Sequence, residues 1–418
     1  MNRRRKRPNY FGWTIFGLVV LFGYFFNQVY LPSQPNPFEA TPTVTRSPES
    51  YVTEAKELYE EGKLPRAIEA YQSAIKASPQ DALLYIAIAR LQVWDGKYED
   101  AQANAENAIL LSPNNSMAYA VHAWALDFQE GKNGDAKDSI EKALTLDPNN
   151  GLAHAYYAEI LVDSRLFDNY AKAAEESRIA LALAPDLLET HRARAYILSV
   201  TGQENIEEAI REYEAAIAIN PNISTLHIEL GQSYRALQAY DKAITEFTRA
   251  NTLNPTDYVP DLLISRTHAT TGSYQQALQY AETAVKDNPT NPNLRGNFGV
   301  MYYRNFFYEE ALEQLTLAIK GGKTEAGEEI TGLPLTDSPL VVEYYFTYGL
   351  ALARNNQCGE ALQIAQKVQA NVAEDDETAL FAASEIIRIC QENLDNPAVN
   401  TPTPGADETP TEEGTPTP

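Results

Sequence analysis

The chemically richest side chains of this 418-residue chain are two cysteines, five histidines, scattered arginines and a large surplus of carboxylates. Cys358 and Cys390 can form a disulfide or pack as buried thiols. His122, His154, His191, His227 and His268 carry rings that ligate zinc or sense pH elsewhere. No HxxxH or CxxC pattern pairs them on one helix face, so they are read as packing groups. HExxH, GxSxG, the Walker lysine loop and the dinucleotide fingerprint are absent. Asp and Glu recur as in EAKELYEEG, the pattern of a solvated helix face. No residue type or spacing points to a catalytic residue, a metal or a cofactor, and the protein is expected not to be an enzyme.

Charge narrows the partners. The formal net charge is -24, and five cations (Arg3, Arg4, Arg5, Lys6 and Arg7) sit at the start, so the rest carries -29. A surface this acidic repels phosphates and anionic headgroups, which argues against nucleic acid.

The basic residues 1–10 precede an uncharged stretch. Residues 11–31 would span about 30 Å as a helix, matching a bilayer core. Trp13 and Tyr30 stand near its two ends, where interfacial aromatics belong. The arginines should stay cytoplasmic, leaving everything after Pro32 on the other side. A cleaved signal peptide is the alternative, giving a secreted protein, but the apolar core is long and Phe38 sits two places before Ala40. Residues 32–50 are rich in Pro, Thr and Ser and read as a tether. Residues 395–418 are similar, more acidic, and expected to be disordered.

Between them, residues 51–394 repeat. Prolines stand at 79, 113, 148, 185, 221, 255 and 289, spaced by 34 to 37 residues. Five residues before each is an alanine (Ala74, Ala108, Ala143, Ala180, Ala216, Ala250, Ala284). Twelve before is another (Ala67, Ala101, Ala136, Ala173, Ala209, Ala243, Ala277). Seven residues is close to two helical turns, so the methyl groups share a stripe against which a second helix can approach. The proline ends that helix, and the Asn or Asp that usually follows can cap the next. Upstream stand the small residues Ala55, Ala89, Ala123, Ala158, Ala195, Gly231 and Ser265, each within another helix-length segment. Every unit is thus an antiparallel helix pair needing its neighbour to cover its apolar face.

This pattern resembles the tetratricopeptide repeat family, most closely over residues 226–255, with Leu230, Gly231, Tyr234, Ala243, Phe247, Ala250 and Pro255. Weaker units carry Gly299, Tyr302, Ala311 and Ala318, then Gly349 and Ala361. The resemblance covers about residues 49–368. It implies an all-α, right-handed superhelical solenoid of about nine units with a capping helix over 376–393. A loop at 321–339 interrupts the last two units and reads as a tolerated insertion. In the cap, Leu380, Ala383, Ile387 and Cys390 form the expected buried stripe. The cap should run parallel to the first helix of the last unit, bringing Cys358 and Cys390 to one end; a disulfide and two free thiols both fit.

In the resembled family the first helices line a concave groove that binds extended peptides or partner helices. The groove-facing positions here are Arg90, Trp94, Trp124, Phe128, Arg192, Tyr196, Arg235, Arg266, Tyr303 and Arg304. Arginine and aromatics dominate interface hot spots. Inward arginines would either make a channel for carboxylates or neutralise glutamates on neighbouring helices. The family's paired Lys and Asn carboxylate clamp is absent. The expected function is a membrane-tethered, extracytoplasmic scaffold for protein–protein interaction. Two alternatives are a self-associating homo-oligomeric envelope component and a carbohydrate-binding or enzymatic envelope protein.

Overall fold

A computed structural model describes residues 10–25, 46–373 and 375–395. Helix α1 (Tyr10–Phe25) is followed by nine antiparallel pairs and a final single helix. The first five pairs are α2 (Pro48–Glu60) with α3 (Leu64–Ala77), α4 (Ala82–Trp94) with α5 (Tyr98–Leu111), α6 (Ser116–Asp127) with α7 (Asn133–Leu146), α8 (Gly151–Asp163) with α9 (Tyr170–Leu183), and α10 (Leu188–Thr201) with α11 (Ile206–Ile219). The last four are α12 (Ser224–Ala236) with α13 (Tyr240–Leu253), α14 (Tyr258–Thr270) with α15 (Tyr274–Asp287), α16 (Pro292–Arg304) with α17 (Tyr308–Lys320), and α18 (Pro339–Arg354) with α19 (Cys358–Asn371). Helix α20 (Glu377–Asp395) packs on α18 and α19. The fold is an all-α helical repeat array.

The spacing of small residues builds it. All fourteen periodic alanines are buried, none more than 1% exposed. On the first helices the demand is equally strict. A Cβ added at Gly231 would stand 2.5 Å from the Phe247 ring, and one at Gly349 2.5 Å from Ile386. After the terminal prolines, Asp81, Asn115, Asn150, Asp257 and Asn291 accept backbone N–H bonds at the next helix start, at 2.9–3.1 Å. Extra residues in units 4 and 5 form short 3-10 turns, Phe167–Asn169 and Gln203–Asn205.

The expected loop at 321–339 holds a small hairpin, β1 (Gly322–Lys323) against β2 (Glu329–Ile330), antiparallel. Ile330 is buried, and Leu333 is tied by its N–H to Ala318 and by its carbonyl to the Tyr345 hydroxyl. In α20 the buried stripe is Ala379, Ala382, Ala383, Ile386, Ile389 and Cys390. Leu380 and Ile387, expected in that stripe, are only half-buried, because the helix docks rotated by about one residue. Cys358 and Cys390 form a disulfide with their Cα atoms 5.4 Å apart.

The array also closes on itself. Asn220 and Asn222, between α11 and α12, donate side-chain hydrogen bonds to the carbonyls of Tyr59 (3.2 Å) and Glu60 (2.8 Å) at the end of α2. The fit is close: a Cβ on Gly62 would lie 2.3 Å from the Asn222 carbonyl oxygen. Units 1 to 5 therefore curl until the first touches the join between the fifth and sixth.

Among the described residues no helix is long and apolar enough to cross a membrane. Helix α1 covers 15 residues of the expected span, with Leu18, Val19, Leu21 and Phe22 exposed. The remainder of that span, the tether as far as residue 45 and the tail from 396 lie outside the described residues.

Candidate functional site

The first helices line the inner side of the curl, and its two halves differ. In units 2 to 5 the inner positions are filled by the chain itself. Trp124 is 1% exposed, stacked on Tyr156 at 4.4 Å between ring centres and meeting Trp94 edge-on at 5.4 Å. Its indole N–H donates to Glu159 at 3.2 Å. Phe128 stacks on Tyr98 at 4.7 Å and is partly exposed.

Charged groups in this half pair with one another, although Arg90 Nε and Asp127 Oδ2 are buried without a hydrogen-bond partner. Arg192 donates two bonds of 2.9 Å to Glu159, and Nε and Nη2 reach Glu229 at 2.7–3.1 Å. Its guanidinium also lies 5.3 Å from the centre of the Trp94 ring. Burial works against that cation, yet Glu159 and Glu229 outweigh it and hold Arg192 well above the usual arginine value. Arg90 pairs with Glu189, which is 2% exposed; the Glu189 charge raises Arg90 against the opposing effect of burial. Tyr196 donates to Asp163. Burial, then the charges of Asp163 and Glu159, push the Asp127 carboxyl well above the usual carboxylate range.

These placements correct the expectation of an open groove over units 2 to 5. Trp94, Trp124 and Arg192 are buried core, and Arg90 and Tyr196 are spent on internal partners. The curl that seats unit 1 against the α11–α12 join collapses this stretch of the inner face.

Units 6 to 9 keep the other character. Arg235 on α12 and Arg266 on α14 are half-buried, and among the described residues neither forms an ion pair. Arg266 Nη2 donates to the Tyr344 hydroxyl at 3.1 Å, while its Nε is buried without a partner. Burial, then the neighbouring Arg266 charge, lower Arg235 from the usual arginine value. Further along, Arg304 meets Glu343 at 3.4 Å in an exposed pair, and Tyr303 packs 5.2 Å from Tyr308. Arg354 is exposed and lies 5.8 Å from the centre of the Tyr308 ring. A cavity of about 540 Å³ is lined by turn residues such as Asn115, Asn149 and Asn150 and by none of the expected groove residues.

The histidines do more than fill slots. His154, His191 and His227 each bridge the carbonyl of the proline six residues earlier (2.8–3.0 Å) and a glutamate on their own second helix, Glu176, Glu212 or Glu246 (2.5–2.7 Å). Arg295 makes the equivalent bridge from Pro289 to Gln314 at 3.1 and 2.8 Å, and Tyr85 reaches Pro79 at 3.3 Å. The recurring six-residue step from proline to a polar ring or guanidinium was the available signal. Among the described residues no group of three or more His, Cys, Asp or Glu side chains is set to hold a metal.

Family models described as tetratricopeptide repeat match residues 58–125, 118–150 and 201–258. These segments carry tetratricopeptide repeats. Over 219 residues the repeat protein is 24% identical to TPR repeat-containing protein YpiA of Bacillus subtilis, covering 51% of this chain and 47% of the relative. The chain thus spans about half the length of the curated relative it matches. Among solved structures, the repeat array is similar to the APC/C hetero-tetramer Cut9-Hcn1, with a TM-score of 0.61 and 13% identity over 81% of this chain and 63% of that one. It is also similar to the human IFIT1 dimer with PPP-AAAA, at TM-score 0.53 and 16% identity over 82% of each chain. At these identities the likeness is one of fold.

Proposed function

We propose that this protein is a non-catalytic scaffold, tethered to a membrane by residues 11–31, that docks partner proteins on the concave face of units 6 to 9. The carrying observation is the contrast between the two halves. Units 2 to 5 consume their inner arginines, whereas the half-buried Arg235 and Arg266 form no ion pair among the described residues. Desolvated arginines beside aromatic rings are the side chains that anchor protein interfaces.

Two features support a display outside the cytoplasm: the five cations before the apolar stretch, and the Cys358–Cys390 disulfide, a bond at home in oxidising compartments. Alkaline extraction of membranes and protease protection of the intact protein test the tether and its sidedness. Affinity capture from membranes by the full chain, beside Arg235→Gln/Arg266→Gln, tests the groove. A partner retained by the first and lost by the second is the expected result. Identical retained sets would overturn the assignment.

A further inference from the structure

Four inner arginines run along the open half, one on each successive first helix: Arg235 on α12, Arg266 on α14, Arg304 on α16 and Arg354 on α18. Only Arg304 has an ion-pair partner among the described residues, Glu343. The described chain ends beside this row. Asn393, two residues before Asp395, donates to the Ala353 carbonyl at 2.9 Å, adjacent to Arg354. The sequence beyond, residues 396–418, contains Asp407, Glu408, Glu412 and Glu413 and no lysine, arginine or histidine.

We propose that the acidic segment around Asp407 and Glu408 of this same chain lies along the arginine row and occupies Arg266 and Arg235, so that the protein covers its own docking face. This rests on units 6 to 9 being that face. The reach suffices. Twelve residues separate Asp395 from Asp407, about 40 Å when extended. Three steps between adjacent first helices span about 30 Å. Carboxylates there would meet two half-buried guanidiniums that form no ion pair among the described residues, one of which already feels the positive charge of the other. Attachment to the same molecule holds the segment at an effective concentration on the order of millimolar, so a weak contact suffices. An outside partner must then displace the segment, and neutralising it should favour capture.

The test uses the full-length protein and a fluorescein-labelled peptide of residues 401–414. One version has its tail neutralised by Asp407→Asn, Glu408→Gln, Glu412→Gln and Glu413→Gln. The neutralised protein should bind the peptide at least tenfold more tightly than the native protein, whose own segment competes. Adding Arg235→Gln/Arg266→Gln should abolish that gain, while Arg235→Lys/Arg266→Lys retains part of it and controls for folding. Equal binding by native and neutralised proteins overturns the proposal, as does binding indifferent to both arginine changes. Partner capture from membranes separates this from failure of the docking face. Capture that needs the arginines but ignores tail neutralisation leaves the face standing and the self-covering refuted. Capture indifferent to the arginines refutes the face itself.

Discussion

The guanidinium of Arg90 is paired with the carboxylate of Glu189, 99 residues further along the chain and 2% exposed. Truncating one partner strands the other as an uncompensated charge. Arg90→Met should cost about 3–5 kcal/mol in urea unfolding, and Arg90→Met/Glu189→Leu should recover most of it. Equal midpoints for native and single variant would show the pair to be idle.

Gly62 is where the curl closes, with φ at +76° and the Asn222 carbonyl in the path of any Cβ. Gly96 offers a matched control, at φ +73° with open space around it. Both alanine variants should lose about 1 kcal/mol from backbone strain. Only Gly62→Ala should also part unit 1 from the α11–α12 join, seen as a larger radius of gyration in small-angle scattering.

The histidine bridges make stability depend on pH. Hydrogen bonds that the rings donate to Glu176 and Glu212 raise His154 and His191 above the ordinary value, against the effect of burial. A raised folded-state pKa stabilises fully below the unfolded value near 6.5 and is lost as pH climbs through the folded one. The melting temperature of His154→Gln/His191→Gln should therefore fall less between pH 6 and 8 than that of the native protein.

Reducing the Cys358–Cys390 bond frees a loop of sequence separation 32 and should loosen α20. The loss should be about 2–4 kcal/mol for that end of the array, read by hydrogen exchange of α20 with and without reductant. Unchanged exchange would mean that packing alone seats the helix.

The helix pairs were legible because methyl spacing, terminal prolines and capping Asn or Asp are local signals repeated many times, from Ala67 to Ala284. The fate of the inner face was not. Whether Trp124 faces a partner or Tyr156 depends on small rotations accumulated over several units, and no short stretch encodes their sum. The sequence left the arginines between two roles, and the structure divides them: Arg90 and Arg192 neutralise glutamates, whereas Arg235 and Arg266 do not. In α20 an error of about one residue was enough to exchange Leu380 for Ala379 in the buried stripe.

The join of unit 1 to the α11–α12 turn has a consequence for how the molecule comes apart. A linear stack ordinarily frays from its tips, where the last member has a neighbour on one side only. Here one tip is clasped by Asn220 and Asn222 and the other is stitched by a covalent bond. With both tips fastened, unravelling must start from within. The stretch around Arg235 and Arg266, between the two fastenings, is the natural place for the first breach.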